Sequence, residues 1–114
     1  MQIEADVFSG LPNPRWSLSA EESAELSRRM RGLPAASSPG TLYDGLGYRG
    51  MVVTGLEGEC DEVRVQRGEV RARCGGETRA FTDPGRALER WLVGTGQGRA
   101  EPGMLEMLRK ETGA

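Results

Sequence analysis

Apolar and polar positions divide the chain into short alternating stretches and a few stripes at helical spacing. Over residues 2–8, Ile3 and Val7 share one side while Asp6 and Phe8 share the other, which predicts a first strand. Residues 9–14 form a turn: Pro12 and Pro14 fix φ and remove two donors, and Asn13 before Pro14 is pushed extended. Trp16 and Leu18 then alternate with Ser17 and Ser19 as a short second extended segment.

Ser19-Ala20-Glu21-Glu22 is a capping box, in which the Ser19 hydroxyl meets the Glu22 amide and the Glu22 carboxylate reaches back. Acids follow at the positive end of that helix, with Arg28, Arg29 and Arg31 at the negative end. Leu26, Met30 and Leu33 recur at helical spacing, and Gly32 with Pro34 stops the element, so the pattern predicts a helix over 20–32. The loop over 34–47 is longer than most connections, which points to a functional or mobile segment. The β-branched run after it predicts a buried strand over 48–54.

A hairpin comes next. With Arg67-Gly68 at the tip, Val65 pairs with Val70 and Val63 with Ala72, and all four share a face. An odd-length loop breaks that pattern. Arg-Gly is not an ideal type I′ pair, so a four-residue loop in the same register is an equal choice. Residues 77–81 add a further strand. Asp83 and Pro84 mark a second helix as cap and first helical position, with Ala87, Leu88, Trp91 and Leu92 as its stripe and Gly94 as its stop. A last short helix is predicted over 102–111, on Met104, Leu105 and Leu108. Strands grouped between helices predict one α+β domain: an antiparallel sheet of four to five strands, with two main helices and a short C-terminal one on one face.

Composition changes the picture mainly by what it removes. The 114 residues contain no His, which takes away the commonest general base and metal ligand. Ser/His/Asp and Cys/His catalysis are thereby excluded, and two Cys cannot close a structural zinc site. We therefore expect no catalytic residue, no metal and no cofactor. The net charge of −2 argues against nucleic acid, and no apolar run reaches membrane-spanning length. The start of the chain lacks signal-peptide character, so a cytoplasmic protein is expected, with a mature secreted form as the alternative.

Several clusters remain as candidate surfaces. In the hairpin register Arg64 faces Arg71 and Arg73 faces Glu62. Like charges across a ladder are unfavourable, and a bound anion or acidic partner would relieve them. With Arg79 close in sequence, Arg64, Arg71 and Arg73 form the first candidate partner surface; otherwise they are a solvated charged face. The stiff turn ending in Trp16 is a second, unless that ring belongs to the core.

Asp6, Tyr43, Asp44, Tyr48 and Arg49 are the candidate lining of a ligand pocket, since Gly45, Gly47 and Gly50 permit close backbone approach. Glu4, Asp6, Glu57, Glu59 and Asp61 are acids that could pair or bind a cation, though no EF-hand spacing exists. Cys60 and Cys74 bracket the hairpin, with Cys60 nominally opposite Gly75 and Cys74 opposite Asp61. A disulfide would need a bulge there, for which Gly58, Gly75 and Gly76 are available; a disulfide, reduced thiols and a reactive thiol all stay open. The leading expectation is a non-enzymatic binding module for a protein partner or small anionic ligand. A cofactor-independent enzyme using carboxylate and Tyr, and a small-molecule or metal carrier, are the alternatives.

Overall fold

The computed structural model describes residues 1–8, 10–38, 40–56, 58 and 60–113, with only the backbone of Phe8. Glu57 and Glu59, two of the acids considered above, lie outside the described residues, as does Ser9 of the turn. The described strands are β1 (Gln2–Phe8), β2 (Arg15–Ser17), β3 (Gly47–Thr54), β4 (Cys60–Gln66), β5 (Glu69–Cys74) and β6 (Glu77–Thr82). They form one antiparallel sheet of six strands in the order β2-β1-β3-β4-β5-β6. That is more than the four to five expected. After the proline turn the chain folds straight back on β1, pairing Ile3 with Trp16, so even a three-residue segment joins the sheet.

Three helices accompany it: α1 (Ala20–Arg31), α2 (Ala87–Gly94) and α3 (Pro102–Thr112). The capping box of α1 is present as predicted, with the Ser19 hydroxyl accepting from the Glu22 amide. The last helix is the eleven-residue one and α2 the eight-residue one, against the expectation of a short C-terminal element. The Glu101 carboxylate accepts the amides of Gly103 and Met104, Pro102 takes the first turn, and Gly113 closes the far end in the left-handed region.

Side-chain alternation sorts the sheet into two faces. The inner face carries Ile3, Ala5, Met51, Val53, Val63, Val65, Val70 and Ala72, all buried. Leu26 of α1, Leu88, Leu92 and Val93 of α2, and Leu105 and Leu108 of α3 complete the same apolar cluster, so the helices share that face. Each such aliphatic side chain contributes roughly 1.5–3 kcal/mol when fully withdrawn from water.

The hairpin has the predicted even register, with Val65 opposite Val70 and Val63 opposite Ala72. Its tip is a two-residue turn in which Arg67 (φ 47°) and Gly68 (φ 84°) both take positive φ, the type I′ signature. Cys60 and Cys74 are joined by a disulfide. The ladder shifts between Cys60 and Glu62, so Asp61 is the extra residue that brings the two cysteines directly opposite. The bend falls on Asp61 rather than on the glycines.

Two connections depart from sequence expectation. Pro84–Arg86 is a 3-10 turn, and Asp83 reaches past it to cap α2, accepting the amides of Leu88 and Glu89 at 2.8 and 2.9 Å. The 34–47 loop is tied down along its course. Pro34 accepts from Thr82 and the Ala36 amide donates to Ala80, so the loop pairs with β6 before crossing the outer face of the sheet. There the Gly40 amide donates to Glu69, and Tyr43 and Gln66 exchange two hydrogen bonds of 2.7 and 2.8 Å.

Candidate functional site

The outer face holds an ion cluster built around Asp6. Arg49 donates to one carboxylate oxygen at 3.0 Å and Arg64 to the other at 2.8 Å. Arg49 stands beside Asp6 because of an irregularity in the β1–β3 ladder: Ala5 pairs with Met51 but Val7 with Tyr48, so β3 spends one extra residue there. A regular ladder would turn Arg49 inward and Tyr48 outward. Gly50 accommodates the irregularity, with φ 110° and a position where a Cβ would stand 2.7 Å from the Val65 carbonyl oxygen.

Asp6, Leu42, Tyr43, Asp44, Arg49 and Arg64 line a depression of about 270 Å³ on this face. Four of the five pocket residues expected from sequence thus come together. Tyr48 does not: it is 3% exposed and lies on the inner face. Burial alone would raise the Asp6 carboxyl, but the hydrogen bonds and charges of Arg64 and Arg49 outweigh it and hold the carboxyl below its ordinary value. A carboxylate with both oxygens taken by guanidinium groups is a weak base, and it is ionised at neutral pH and so no acid. The Tyr43 hydroxyl is likewise engaged, donating to the Leu46 carbonyl at 2.6 Å.

The arginines expected to form a partner surface are divided. Arg64, Arg71 and Arg73 share the outer face, and Arg64 does oppose Arg71. No bound anion is needed there, because Arg64 is held by Asp6 while Arg71 donates to the Gly40 carbonyl and lies 3.6 Å from Glu69. Arg73 lies 3.8 Å from Glu62. Arg79 pairs with Ala72 and therefore stands on the inner face, away from the other three. Nearness in sequence misplaced it, since successive strands keep cross-strand partners on one face. Trp16 is also corrected. It is 6% exposed, packs against Gly96 and donates through Nε1 to the Thr95 hydroxyl at 2.8 Å.

Sequence reasoning missed a buried carboxylate. Glu89 is fully buried and accepts from the Tyr48 hydroxyl, the Arg67 amide and Arg86 Nε. Burial first, then the Glu89 charge, pushes the Tyr48 phenol well above its ordinary value. The Arg67 guanidinium stacks over Tyr43, 4.7 Å from the ring centre. These contacts lock the hairpin tip to α2 and the crossing loop. One signal was available: a Glu inside the α2 stripe, directly after Leu88.

A largely apolar concavity lies on the inner face, between α1 and strands β4 to β6. It measures about 350 Å³. Met30 and Leu33 from the helix side, Leu56 and Phe81 from the flanks, and buried Val63 and Val70 from the sheet give it an apolar lining. Arg31 and Arg79 stand at its mouth, both exposed. α1 borders the groove and contributes a single fully buried side chain, Leu26, to the core.

Among the described residues no group of three or more His, Cys, Asp or Glu is placed to hold a metal ion, and no helix is long and apolar enough to cross a membrane. In comparisons with known proteins, no family model, no curated protein and no solved structure matches the chain.

Proposed function

We propose that the protein works by binding, without chemistry of its own, and that its ligand enters the groove between α1 and strands β4 to β6. The observation that carries this reading is the groove's composition: a concavity of ligand size lined mainly by aliphatic, aromatic and thioether side chains. Methionine suits such a wall because its unbranched chain repacks around different shapes. The charged outer face supports partner binding less well, since Arg64 and Arg71 already have partners within the chain.

A cofactor-independent enzyme built on Asp6, Tyr43 and Arg49 is the second reading. The convergence of these groups on one depression favours it. Their engagement with one another weighs against it, because a proton-transfer group needs an open lone pair or a proton near its transfer point. The mature secreted alternative gains support from the Cys60–Cys74 disulfide, which suits an oxidising compartment.

Ser27 lines the groove from α1, and Ser27→Phe would fill it from the helix side. Thermal-shift screening against apolar metabolites tests the binding reading. The expected result is a ligand-dependent rise in melting temperature that Ser27→Phe abolishes. A rise that Ser27→Phe leaves intact would move the site elsewhere, and no rise with any compound would count against binding of small apolar ligands.

A further inference from the structure

We infer that the ligand of this groove is a medium-chain carboxylic acid, its chain laid on the apolar floor and its carboxylate held at the mouth by Arg31, with the charge of Arg79 beside it. This rests on the binding reading above and adds the ligand's class. Among the described groove residues, the ionisable groups other than the bridged Cys60 and the chain's own amino terminus are these two guanidinium groups. Among the described residues, no other charged side chain lines the groove.

Arg31 closes the last turn of α1 and makes no hydrogen bond or ion pair with the described residues, so it is the principal holder; Arg79 projects from β6 on the same side but is already engaged within the chain and contributes only its charge. A guanidinium presents paired donors that match the two oxygens of a carboxylate. Charge and floor together select an anionic amphiphile over a neutral oil.

Size fits a small molecule: the groove's 350 Å³ falls at the lower end of small-ligand sites. The floor is also bounded: the Cys60–Cys74 bridge closes the end of the β4–β5 hairpin, and Cys60 itself lines the groove.

Calorimetric titration of the full disulfide-bonded chain, with straight-chain acids from hexanoic to dodecanoic and the matching alcohols, tests the inference. Affinity should rise about fourfold per added methylene until the groove is full, then level off. The acid should bind on the order of tenfold more tightly than the alcohol of equal length. Arg31→Gln should erase that preference and Arg79→Gln should reduce it, while Ser27→Phe should weaken acid and alcohol alike. Arg73→Gln, on the opposite face, should change nothing.

Equal affinity for acid and alcohol would overturn the carboxylate assignment and leave the groove as a binding site. Absence of binding by both series would remove the small-ligand reading itself. Sedimentation showing a dimer that Ser27→Phe disperses would make a second copy of the chain the occupant, and would also overturn the inference.

Discussion

The Tyr48 hydroxyl donates to the Glu89 carboxylate across the seam between the sheet and α2, at 2.5 Å. The same carboxylate accepts the Arg67 amide at 3.0 Å and Arg86 Nε at 2.8 Å, and it has no exposure to water. Three donors from three elements therefore depend on one side chain. Arg67 needs this most, because a non-glycine residue with positive φ is strained and its amide has no ladder partner at the tip.

Removing the acceptor should cost far more than removing one donor. Glu89→Ala leaves a phenol, an amide and a guanidinium without their partner, and the expected loss is about 3–5 kcal/mol. Tyr48→Phe leaves Glu89 with two donors and should cost about 1–2 kcal/mol. Urea denaturation of both variants checks the order. A Tyr48→Phe loss as large as that of Glu89→Ala would show that the phenol, not the carboxylate, organises the seam.

Asp6 gives the fold a defined acid response. Its carboxyl is held below the ordinary value of 3.8 in the folded chain, so the folded state binds its proton less readily than the unfolded chain does. The stabilisation is then fully present above the unfolded value and is lost as pH falls through the lower, folded one. Glu22, half-buried and lowered by its hydrogen bond with the Ser19 backbone, and Glu101, exposed and lowered by the amides of Gly103 and Met104, act in the same direction. Unfolding free energy should be flat near neutrality and decline below about pH 4. Asp6→Asn should be less stable at pH 7 and show a shallower acid decline. An acid limb unchanged by this substitution would place the titrating groups elsewhere.

Much of this architecture is legible from local patterning. The α1 capping box, the hairpin register and the boundaries of the last helix each rest on interactions within a few residues or on strict alternation. What the sequence conceals is long-range. Alternation cannot say that β3 spends an extra residue near Gly50, yet that one residue decides that Arg49 meets Asp6 while Tyr48 meets Glu89. Nor does it show that the loop after α1 straps the outer face, because the partners of Gly40 and Tyr43 lie more than twenty residues away. Nearness in sequence groups Arg79 with the outer-face arginines, but its face depends on its pairing with Ala72.

The Cys60–Cys74 bridge closes the base of the hairpin over a sequence separation of 14. In the chain-entropy description a loop of this size restricts the unfolded ensemble by about 3 kcal/mol. Cys60→Ser/Cys74→Ser, or reduction of the native chain, should lower the unfolding free energy by roughly that amount in guanidinium titration. The sheet should survive by far-ultraviolet circular dichroism, since the β4–β5 ladder has five further paired positions. A double variant as stable as the parent would mean that the unfolded chain already holds the two ends together.

Gly50 gives the sharpest test of how the two faces are built. Its φ of 110° lies where side-chain-bearing residues are strained, and an added Cβ would stand 2.7 Å from the Val65 carbonyl oxygen and 3.1 Å from Gln66 Cβ. Both obstacles belong to β4, which is paired on its far side with β5 and cannot retreat without breaking that ladder. Backbone strain of this kind costs about 1–3 kcal/mol before the clash is counted, so Gly50→Ala should destabilise by at least that range. The consequence should also be directional. If the chain relieves the clash by restoring a regular β1–β3 ladder, Tyr48 leaves the core and Arg49 turns inward, away from Asp6. Gly50→Ala should therefore weaken the acid dependence contributed by Asp6 and raise the solvent access of Tyr48, readable as easier ionisation of the phenol in an alkaline titration. A variant of unchanged stability, with both signatures intact, would show that β3 tolerates a side chain at Gly50, and that the irregularity is fixed by its neighbours instead.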